Sequence, residues 1–336
     1  MNIKKTLKAL SDAPGIGCIR SASEIAKKEL SRYAEVSTTD NLGIIGRIPG
    51  KSDRTLMIEA HIDEIGFIVT AVDDKGFLTV STCGGIDLRA LPSRQVDIHG
   101  KRTVRGVFCS TPPHLSEGDI TFDKISDMKI DSCLGESAKD VISVGDYVTF
   151  CTKSRELAGD LICGKSFDDR AGICVLLELA SRFSKKTPPL NLAFCLSDME
   201  EIGLRGAKTA TYGISPDEAI AIDVSFGDGP EIDPNDCGKI GKGAMIGVSP
   251  IIDREISDKL IRIAAESEIP YQTEVMSSRT GTDADTISLN KNGVRTGLVS
   301  IPLRNMHTDC EIISVSDITR VCDLLENYIE GGGLND

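Results

Sequence analysis

The chain has 336 residues, of which 40% are hydrophobic and 26% are charged, as in an ordinary globular protein that buries a large core. Its 38 basic and 51 acidic residues give a net charge of −13, which opposes binding to nucleic acids or anionic membranes. No apolar run approaches the roughly 20 residues of a membrane span, no signal peptide is recognisable, and eleven cysteines without a Cys-x-x-Cys pair favour a reducing cytoplasm.

The first 68 residues combine helical and strand-like patterns. Apolar residues recur at helical spacing over residues 3–12 and 21–32, which predicts two helices. Two apolar runs over residues 42–48 and 56–60 follow, separated by Pro49-Gly50, and they predict two strands.

The pattern changes between residues 69 and 158. Short strand-like runs alternate there with Gly, Pro, Ser and Asp, and only residues 124–139 suggest a short helix. This pattern is typical of a small all-β module. We therefore predict an inserted domain over 69–158 inside a discontinuous domain formed by residues 1–68 and 159–336.

Strands and helices alternate again after residue 159. The predicted helices cover residues 169–182, 204–212, 252–267, 283–289 and 316–328, and the predicted strands cover 190–196, 219–224, 271–276 and 297–300. Ser316 is the expected N-cap of the last helix. The alternation predicts an α/β fold with a mixed central sheet and helices on both faces, on which ligands collect at the carboxyl ends of the strands.

A candidate metal ligand stands at the end of the strand predicted over 56–60. His61 and Asp63 are two residues apart, so in an extended chain both side chains point to one side. A carboxylate that accepts one ring N–H of a histidine leaves the other nitrogen free for a metal. The same pair is also common in solvated loops, so the other ligands decide between the two interpretations.

Further candidates also follow apolar runs. These are the acidic residues Asp168, Asp169, Glu200, Glu201 and Asp223, together with His307. Few histidines and several carboxylates suit a hydrolytic site with two bridged metal ions better than a cysteine-rich structural zinc site.

Five segments resemble one known family, in its order and at compatible spacing. They are Ala60–Phe67, Lys165–Arg170, Glu200–Ala207, Ala221–Asp223 and Ile301–His307. With them the chain resembles, over nearly its whole length, the tetrahedral (TET) aminopeptidases, which are glutamyl and deblocking aminopeptidases with a co-catalytic metal pair.

The resemblance implies a role for each matching residue. His61 and Asp223 are expected to hold one metal ion, Glu201 and His307 the other, and Asp168 to bridge the two. Glu200 is expected to be the general base, and Asp63 to orient His61. One carboxylate of the Glu pair is thus used as a ligand while its neighbour stays free to take a proton.

The resemblance also implies the activity and the assembly. We expect a cytoplasmic metalloprotease that removes N-terminal residues from peptides with two divalent metal ions, zinc or cobalt. The peptide bond between Asp168 and Asp169 is expected to be cis. The inserted segment 69–158 corresponds to a β-barrel or PDZ-like assembly domain that lies outside the active site and builds a tetrahedral homododecamer from dimers.

The chain departs from the family in a few positions. Phe167, Asp198 and Met199 stand where members often have other residues, and Asp198 adds an acid near the base. Three arginines could meet an acidic substrate side chain or form structural ion pairs; they are Arg205, Arg279 and Arg304. His99 and His114 are remote from every motif, and we predict that neither binds metal.

Three other functions stay open at this point. The first is another amide hydrolase with the same metal site, such as a deacylase or a carboxypeptidase. The second is a glycosidase or glucanase using the Glu200–Glu201 pair, although adjacent strand residues point to opposite faces and would flank a sugar bond poorly. The third is a non-catalytic assembly scaffold.

Overall fold

The structure is a computed structural model that describes residues 1–41, 43–110, 112–115, 124–230 and 232–334. Its α-helices, in chain order, are α1 (Ile3–Ser11), α2 (Ser21–Leu30), α3 (Ala138–Val141), α4 (Phe167–Phe183), α5 (Arg205–Ile214), α6 (Arg254–Glu266), α7 (Ala284–Ile287) and α8 (Val315–Glu330). No helix in these described ranges is both long and apolar enough to cross a membrane.

The strands form one large sheet and one closed barrel. Those of the sheet are β1 (Glu35–Thr38), β2 (Ile44–Ile48), β3 (Thr55–His61), β10 (Arg155–Glu156), β11 (Leu161–Gly164), β12 (Asn191–Ser197), β13 (Glu218–Phe226), β14 (Ala244–Val248), β15 (Tyr271–Val275), β16 (Arg295–Arg304) and β17 (Glu311–Ser314). Those of the barrel are β4 (Gly66–Val72), β5 (Phe77–Cys83), β6 (Gln95–His99), β7 (Thr103–Phe108), β8 (Ile130–Asp131) and β9 (Tyr147–Phe150).

The centre of the large sheet is parallel. The strand order is β1-β2-β12-β3-β13-β16-β17-β11-β10, with β14 beside β16 and β15 beside β14. Strand β3 pairs in parallel with β12 and β13, and β13 pairs in parallel with β16. These four strands are apolar along most of their length because the sheet buries both of their faces. Their carboxyl ends therefore meet at one edge.

Helices cover both faces of the sheet, as predicted. One face packs against α1, α2, α4, α6 and α8 in a large core, to which Ile58 and Ile222 belong. The other face packs against α5 and α7 in a smaller core that contains Met57 and Ala221. Helix α4 is buried on all sides, which explains why its sequence is apolar around most of its circumference.

The barrel has its own core. Strands β4 and β9 pair and close the order β4-β5-β8-β7-β6-β9, which leaves no open edge. Phe67 packs edge-to-face against Phe108 and Phe150, with ring centroids 5.0 and 5.7 Å apart. The mixed sheet with an additional small all-β unit confirms the predicted fold class.

Some local predictions differ from the structure. Short strands such as β1, β6, β14 and β17 were not predicted, and residue 42 of the strand predicted over 42–48 lies outside the described residues. The predicted N-cap Ser316 is wrong, because α8 begins at Val315 after Ser314. The amides and hydroxyls at this end are instead satisfied by Asp160, whose Oδ2 accepts from Ser314 Oγ and Ser316 N at 2.8 Å each.

Candidate active site

The carboxyl edge of the parallel strands carries most of the predicted site residues. His61 is the last residue of β3, and Glu200 and Glu201 follow the end of β12 by three and four residues. Asp223 lies in β13, next to the strand β16 after which His307 follows. Parallel pairing of β12, β3, β13 and β16 brings these side chains to the same edge of the sheet.

Asp168 reaches this edge from the first turn of α4. The Asp168–Asp169 peptide bond is cis, as the resemblance implied. A buried glutamate holds this turn, because Glu311 Oε2 accepts from Phe167 N at 2.6 Å and from Asp168 N at 3.3 Å. The other oxygen, Glu311 Oε1, accepts from His307 N at 3.2 Å. One carboxylate thus fixes the backbone on both sides of the site.

Asp168 lies between two histidines. Its Oδ1 is 3.0 Å from His61 Nε2, and its Oδ2 is 3.1 Å from His307 Nε2. His307 Nε2 is also 3.5 Å from Glu201 Oε1. His61, Asp168 and Glu201 each present one ligand atom within 4.8 Å of the others. Asp223 makes none of these contacts but lines the same cavity.

Asp63 connects His61 with the Glu pair. Its Oδ1 lies 3.4 Å from His61 Nδ1 and accepts from Glu200 N at 3.1 Å. Its Oδ2 accepts from Glu201 N at 3.2 Å. Asp63 therefore sets the backbone position of both glutamates as well as the surroundings of His61.

The central ion pairs shift the titration of three residues. Burial alone would raise the pKa of Asp168, but the hydrogen bonds with His307 and His61 hold it well below its usual range. Burial lowers the pKa of His61, yet its contacts with Asp168 and Asp63 outweigh burial and keep that pKa well above its ordinary value. The pKa of His307 is raised to about 9, because Asp168 and Glu201 outweigh burial.

The remaining carboxylates repel one another in a buried space. Burial raises the pKa of Glu200 to about 7, with His61 opposing the shift and Asp168 adding to it. Burial and the charge of Asp168 raise the pKa values of Glu201 and Asp223 well above the ordinary range. A carboxylate cluster of this kind is stable in its ionised form only next to added positive charge.

These residues fit a divalent metal ion. Two imidazoles and several carboxylates are the ligand types that zinc and similar ions take in hydrolytic sites. The two oxygens of Asp168 point to different histidines, as a bridging ligand requires. Bound cations would also relieve the repulsion between Glu201 and Asp223.

A cavity of about 760 Å³ opens over the cluster. His61, Asp168, Glu200, Glu201, Asp223 and His307 all line it. Part of its wall comes from β15 and from the segment that follows, including Glu274, Met276 and Thr280. The volume suits a peptide end.

The expectation that segment 69–158 lies outside the active site is wrong in one respect. Gly85 lines the cavity, and a Cβ at this position would lie 3.2 Å from His307 Nδ1. A Cβ at Gly84, whose φ is +86°, would lie 3.1 Å from Glu201 Oε2. Residues 111 and 116–123 of the same segment lie outside the described residues.

The other residues singled out in the sequence lie away from the cluster. None of the three arginines lines the cavity: Arg304 Nη2 pairs with Asp228 Oδ1 at 2.8 Å, Arg205 Nε donates to Ile202 O at 3.3 Å, and Arg279 is exposed. In the barrel, His99 Nε2 contacts Thr149 Oγ1 at 2.9 Å, and His114 is exposed.

Glu311 was missed by the sequence analysis. The only available signal was an acid beside a short apolar run four residues after His307. Burial and the charge of Asp168 raise its pKa to about 8, while the amides of Asp168 and Phe167 oppose the shift.

Comparison with known proteins places the chain in a family. The family model described as M42 glutamyl aminopeptidase matches residues 43–324. A protein of Acetivibrio thermocellus with a provisional aminopeptidase name is 35% identical over 310 residues, which are 90% of this chain and 90% of that protein.

Two further proteins are similar over almost their whole length. The lysyl aminopeptidase of Pyrococcus furiosus is 29% identical over 339 residues, with 96% of each chain covered. The solved structure of the Pyrococcus horikoshii TET1 peptidase, described as able to assemble into a tetrahedron or a large octahedral shell, superposes with a TM-score of 0.87 at 28% identity. The superposition covers 98% of this chain and 99% of the P. horikoshii chain.

Proposed function

We propose, since the chain belongs to the M42 glutamyl aminopeptidase family, that it removes N-terminal residues from peptides with two divalent metal ions, zinc or cobalt, at the carboxyl edge of its sheet. The observation that carries this proposal is Asp168, whose two oxygens lie 3.0 and 3.1 Å from His61 and His307. In the proposed site His61 and Asp223 would hold one metal ion, Glu201 and His307 would hold the other, and Asp168 would be a ligand shared by both.

When bound, the metal ions would supply Lewis-acid polarisation of the peptide carbonyl and activation of a water molecule. Glu200 accepts the proton of the attacking water and transfers it to the leaving amine. Burial raises the pKa of Glu200 above the ordinary range in the metal-free site, which favours a carboxylate that can take up a proton. Asp63 holds the backbone of Glu200 and Glu201 and the ring of His61 in position through the contacts described above.

Besides the proposed metal ligands, the cavity is lined by the acidic residues Glu200, Asp236 and Glu274. This acidic lining favours a substrate with positive charge, such as a free α-ammonium group. It disfavours carboxypeptidase activity, because a carboxypeptidase must bind a terminal carboxylate. A deacylase with the same metal site makes a different prediction. It would cleave N-acylated amino acids and leave peptides with a free N-terminus intact. A panel of free-amine, N-blocked and acylated substrates therefore separates the two activities.

We also propose that the barrel mediates assembly into a homo-oligomer, a tetrahedral dodecamer built from dimers. The TET1 peptidase from P. horikoshii, which has the same fold, supports this proposal. The eleven cysteines are all free, which supports a reducing cytoplasm. Light scattering on the intact protein tests the particle mass.

Removal of metal tests the central proposal. Chelation followed by dialysis should abolish hydrolysis of aminoacyl anilides, and addition of zinc or cobalt should restore it. Full activity in a protein shown to be metal-free by mass spectrometry would refute the mechanism.

The names in the family leave the substrate preference open. The family model carries a glutamyl name, whereas the relative from P. furiosus carries a lysyl name. These substrates have opposite charges, so the walls of the cavity must decide between them.

A further inference from the structure

Apart from the two histidines of the proposed metal site, the charged side chains in the described cavity wall are all acidic. Among the described residues that line the cavity there is no lysine and no arginine. Beyond the cluster around Asp168, two acids belong to the lining: Asp236, which is exposed, and Glu274, which is partly buried. An acidic substrate side chain would find no partner here and would be repelled.

Glu274 is held in place by two hydroxyl groups. Ser300 Oγ donates to Glu274 Oε2 at 2.7 Å, and Ser225 Oγ donates to Glu274 Oε1. Hydroxyl donors orient a carboxylate and leave further lone pairs on both oxygens for another donor.

Glu274 has no cationic partner within the described part of the chain. Burial raises its pKa, the two serines oppose that shift, and no basic side chain contributes. Buried carboxylates in proteins are normally paired with a cation. A carboxylate that faces a substrate cavity without one is suited to a cation that arrives with the substrate.

The two serines that hold Glu274 both lie beside Asp223. Ser300 in β16 is the direct register partner of Asp223 in β13, and neighbouring strands are about 4.8 Å apart. Ser225 lies two residues beyond Asp223 in β13 itself. The carboxylate of Glu274 is therefore held near a proposed metal ligand, in the cavity that the side chain of a bound N-terminal residue would enter.

We propose that Glu274 binds the ammonium or guanidinium group of an N-terminal lysine or arginine, and that the enzyme therefore prefers peptides beginning with a basic residue. This inference rests on the aminopeptidase function proposed above. It assigns Glu274 to substrate recognition at the part of the cavity wall that β15 forms.

The first test is a substrate panel on the wild-type enzyme. The p-nitroanilides of lysine, arginine, leucine and glutamate differ in side-chain charge while the leaving group stays the same. We expect kcat/KM to be highest for the lysyl and arginyl substrates, lower for the leucyl substrate and lowest for the glutamyl substrate. A glutamyl or leucyl substrate that is cleaved better than the lysyl one would overturn the inference.

The second test is Glu274→Gln, which keeps the size of the side chain and its ability to bond both serines. Truncating one partner of a desolvated charge pair is costly, so we expect the ratio of kcat/KM for lysyl over leucyl substrate to fall roughly 30-fold or more. Leucyl hydrolysis should stay within a few-fold of wild type, which also shows that the variant is folded. Asp236→Asn removes the same charge at an exposed position and should change the ratio by less than about two-fold.

Three outcomes of these tests have separate meanings. If the ratio of kcat/KM for lysyl over leucyl substrate did not change in Glu274→Gln, the inference would be overturned. An equal loss for both substrates would overturn the inference as well, because it would mean that Glu274 binds the α-ammonium group, which both substrates share, or that it only stabilises the fold. The same fall in ratio in Asp236→Asn would assign the preference to the general field of the cavity and would also overturn it. If the metal-loaded wild type cleaved none of the four anilides, the aminopeptidase function itself would fail.

Discussion

Glu311→Gln is the most informative change outside the predicted metal ligands. Glu311 is buried and its two oxygens accept three backbone N–H groups, from Phe167, Asp168 and His307. Glutamine has the same shape but only one acceptor oxygen, so it cannot serve both sides of the site. The amide oxygen is expected to keep the Phe167 and Asp168 side, because two donors lie there.

The loss of stability in Glu311→Gln arises where the side-chain amide nitrogen replaces a carboxylate oxygen. His307 N loses an acceptor and faces a second donor, in a partly buried position. The pKa of Glu311 is raised to about 8 in the metal-free protein, so its carboxylate is charged only above that pH. A hydrogen bond to a charged group is worth about 1.5–3 kcal/mol, so the free energy of unfolding of the metal-free protein should fall by about that amount at pH 9. His307 has a φ of 60°, a conformation that non-glycine residues seldom adopt, so its loop depends on this anchor.

Two measurements check this reasoning. Urea unfolding of the metal-free protein gives the change in free energy, and metal titration gives the affinity of the site. We expect weaker binding of one metal ion and recovery of activity at excess metal. The control is Glu266→Gln, an exposed glutamate of α6. If Glu311→Gln bound both metals as tightly as wild type and was equally stable, the positioning role of Glu311 would be disproved.

Three further predictions concern other parts of the molecule. Glu200→Gln should keep its metal and lose about 10²–10⁴-fold in kcat, whereas Glu201→Gln should lose metal and recover part of its activity with excess metal. Mass spectrometry measures the metal content and kinetics measure the activity of both variants. If Glu200→Gln is the variant that loses metal, the roles of the two residues are reversed. His99→Ala and His114→Ala should both keep the wild-type metal content, and loss of one ion from either would contradict this. The pKa of Glu64 is lowered from 4.5 to about 2, because Lys165 and Arg170 outweigh burial. The ionised form of Glu64 therefore stabilises the fold above pH 4.5, by about 3 kcal/mol, and this contribution is lost as the pH falls toward 2. The stability difference between wild type and Glu64→Gln, measured by urea unfolding, should therefore be smaller at pH 3 than at pH 7.

The sequence was most informative where strands are buried on both faces. Strands such as β12 and β13 read as continuous apolar runs, so their ends are visible and the polar residues after them stand out. Polar residues at the carboxyl ends of parallel strands share one edge of the sheet, and those of neighbouring strands lie close together there. This is why His61, the Glu pair and His307 could be grouped without knowledge of the fold.

The sequence was least informative where one residue serves a distant segment. Asp160 satisfies the start of α8 from more than 150 positions away, so the local pattern wrongly favoured Ser316 as the cap. Glu311 looks like an ordinary polar residue at the start of a short strand, and only the fold shows the three backbone amides from which it accepts hydrogen bonds. Glu274 gives no motif either, because its partners come from two other strands.

The loop that carries His307 is held from two directions, and this arrangement joins the two parts of the chain. Glu311 fixes the loop from the sheet, as described above. On the other side Asp309, two residues beyond His307, accepts from Thr152 Oγ1 at 2.7 Å and lies 3.4 Å from Arg94 Nη1. Both partners belong to the predicted inserted segment. Because Gly85 and Gly84 of that segment lie against His307 and Glu201, a displacement of the barrel relative to the sheet would disturb both residues. Any contact that fixes the barrel in an assembly would therefore also restrain one side of the proposed metal site.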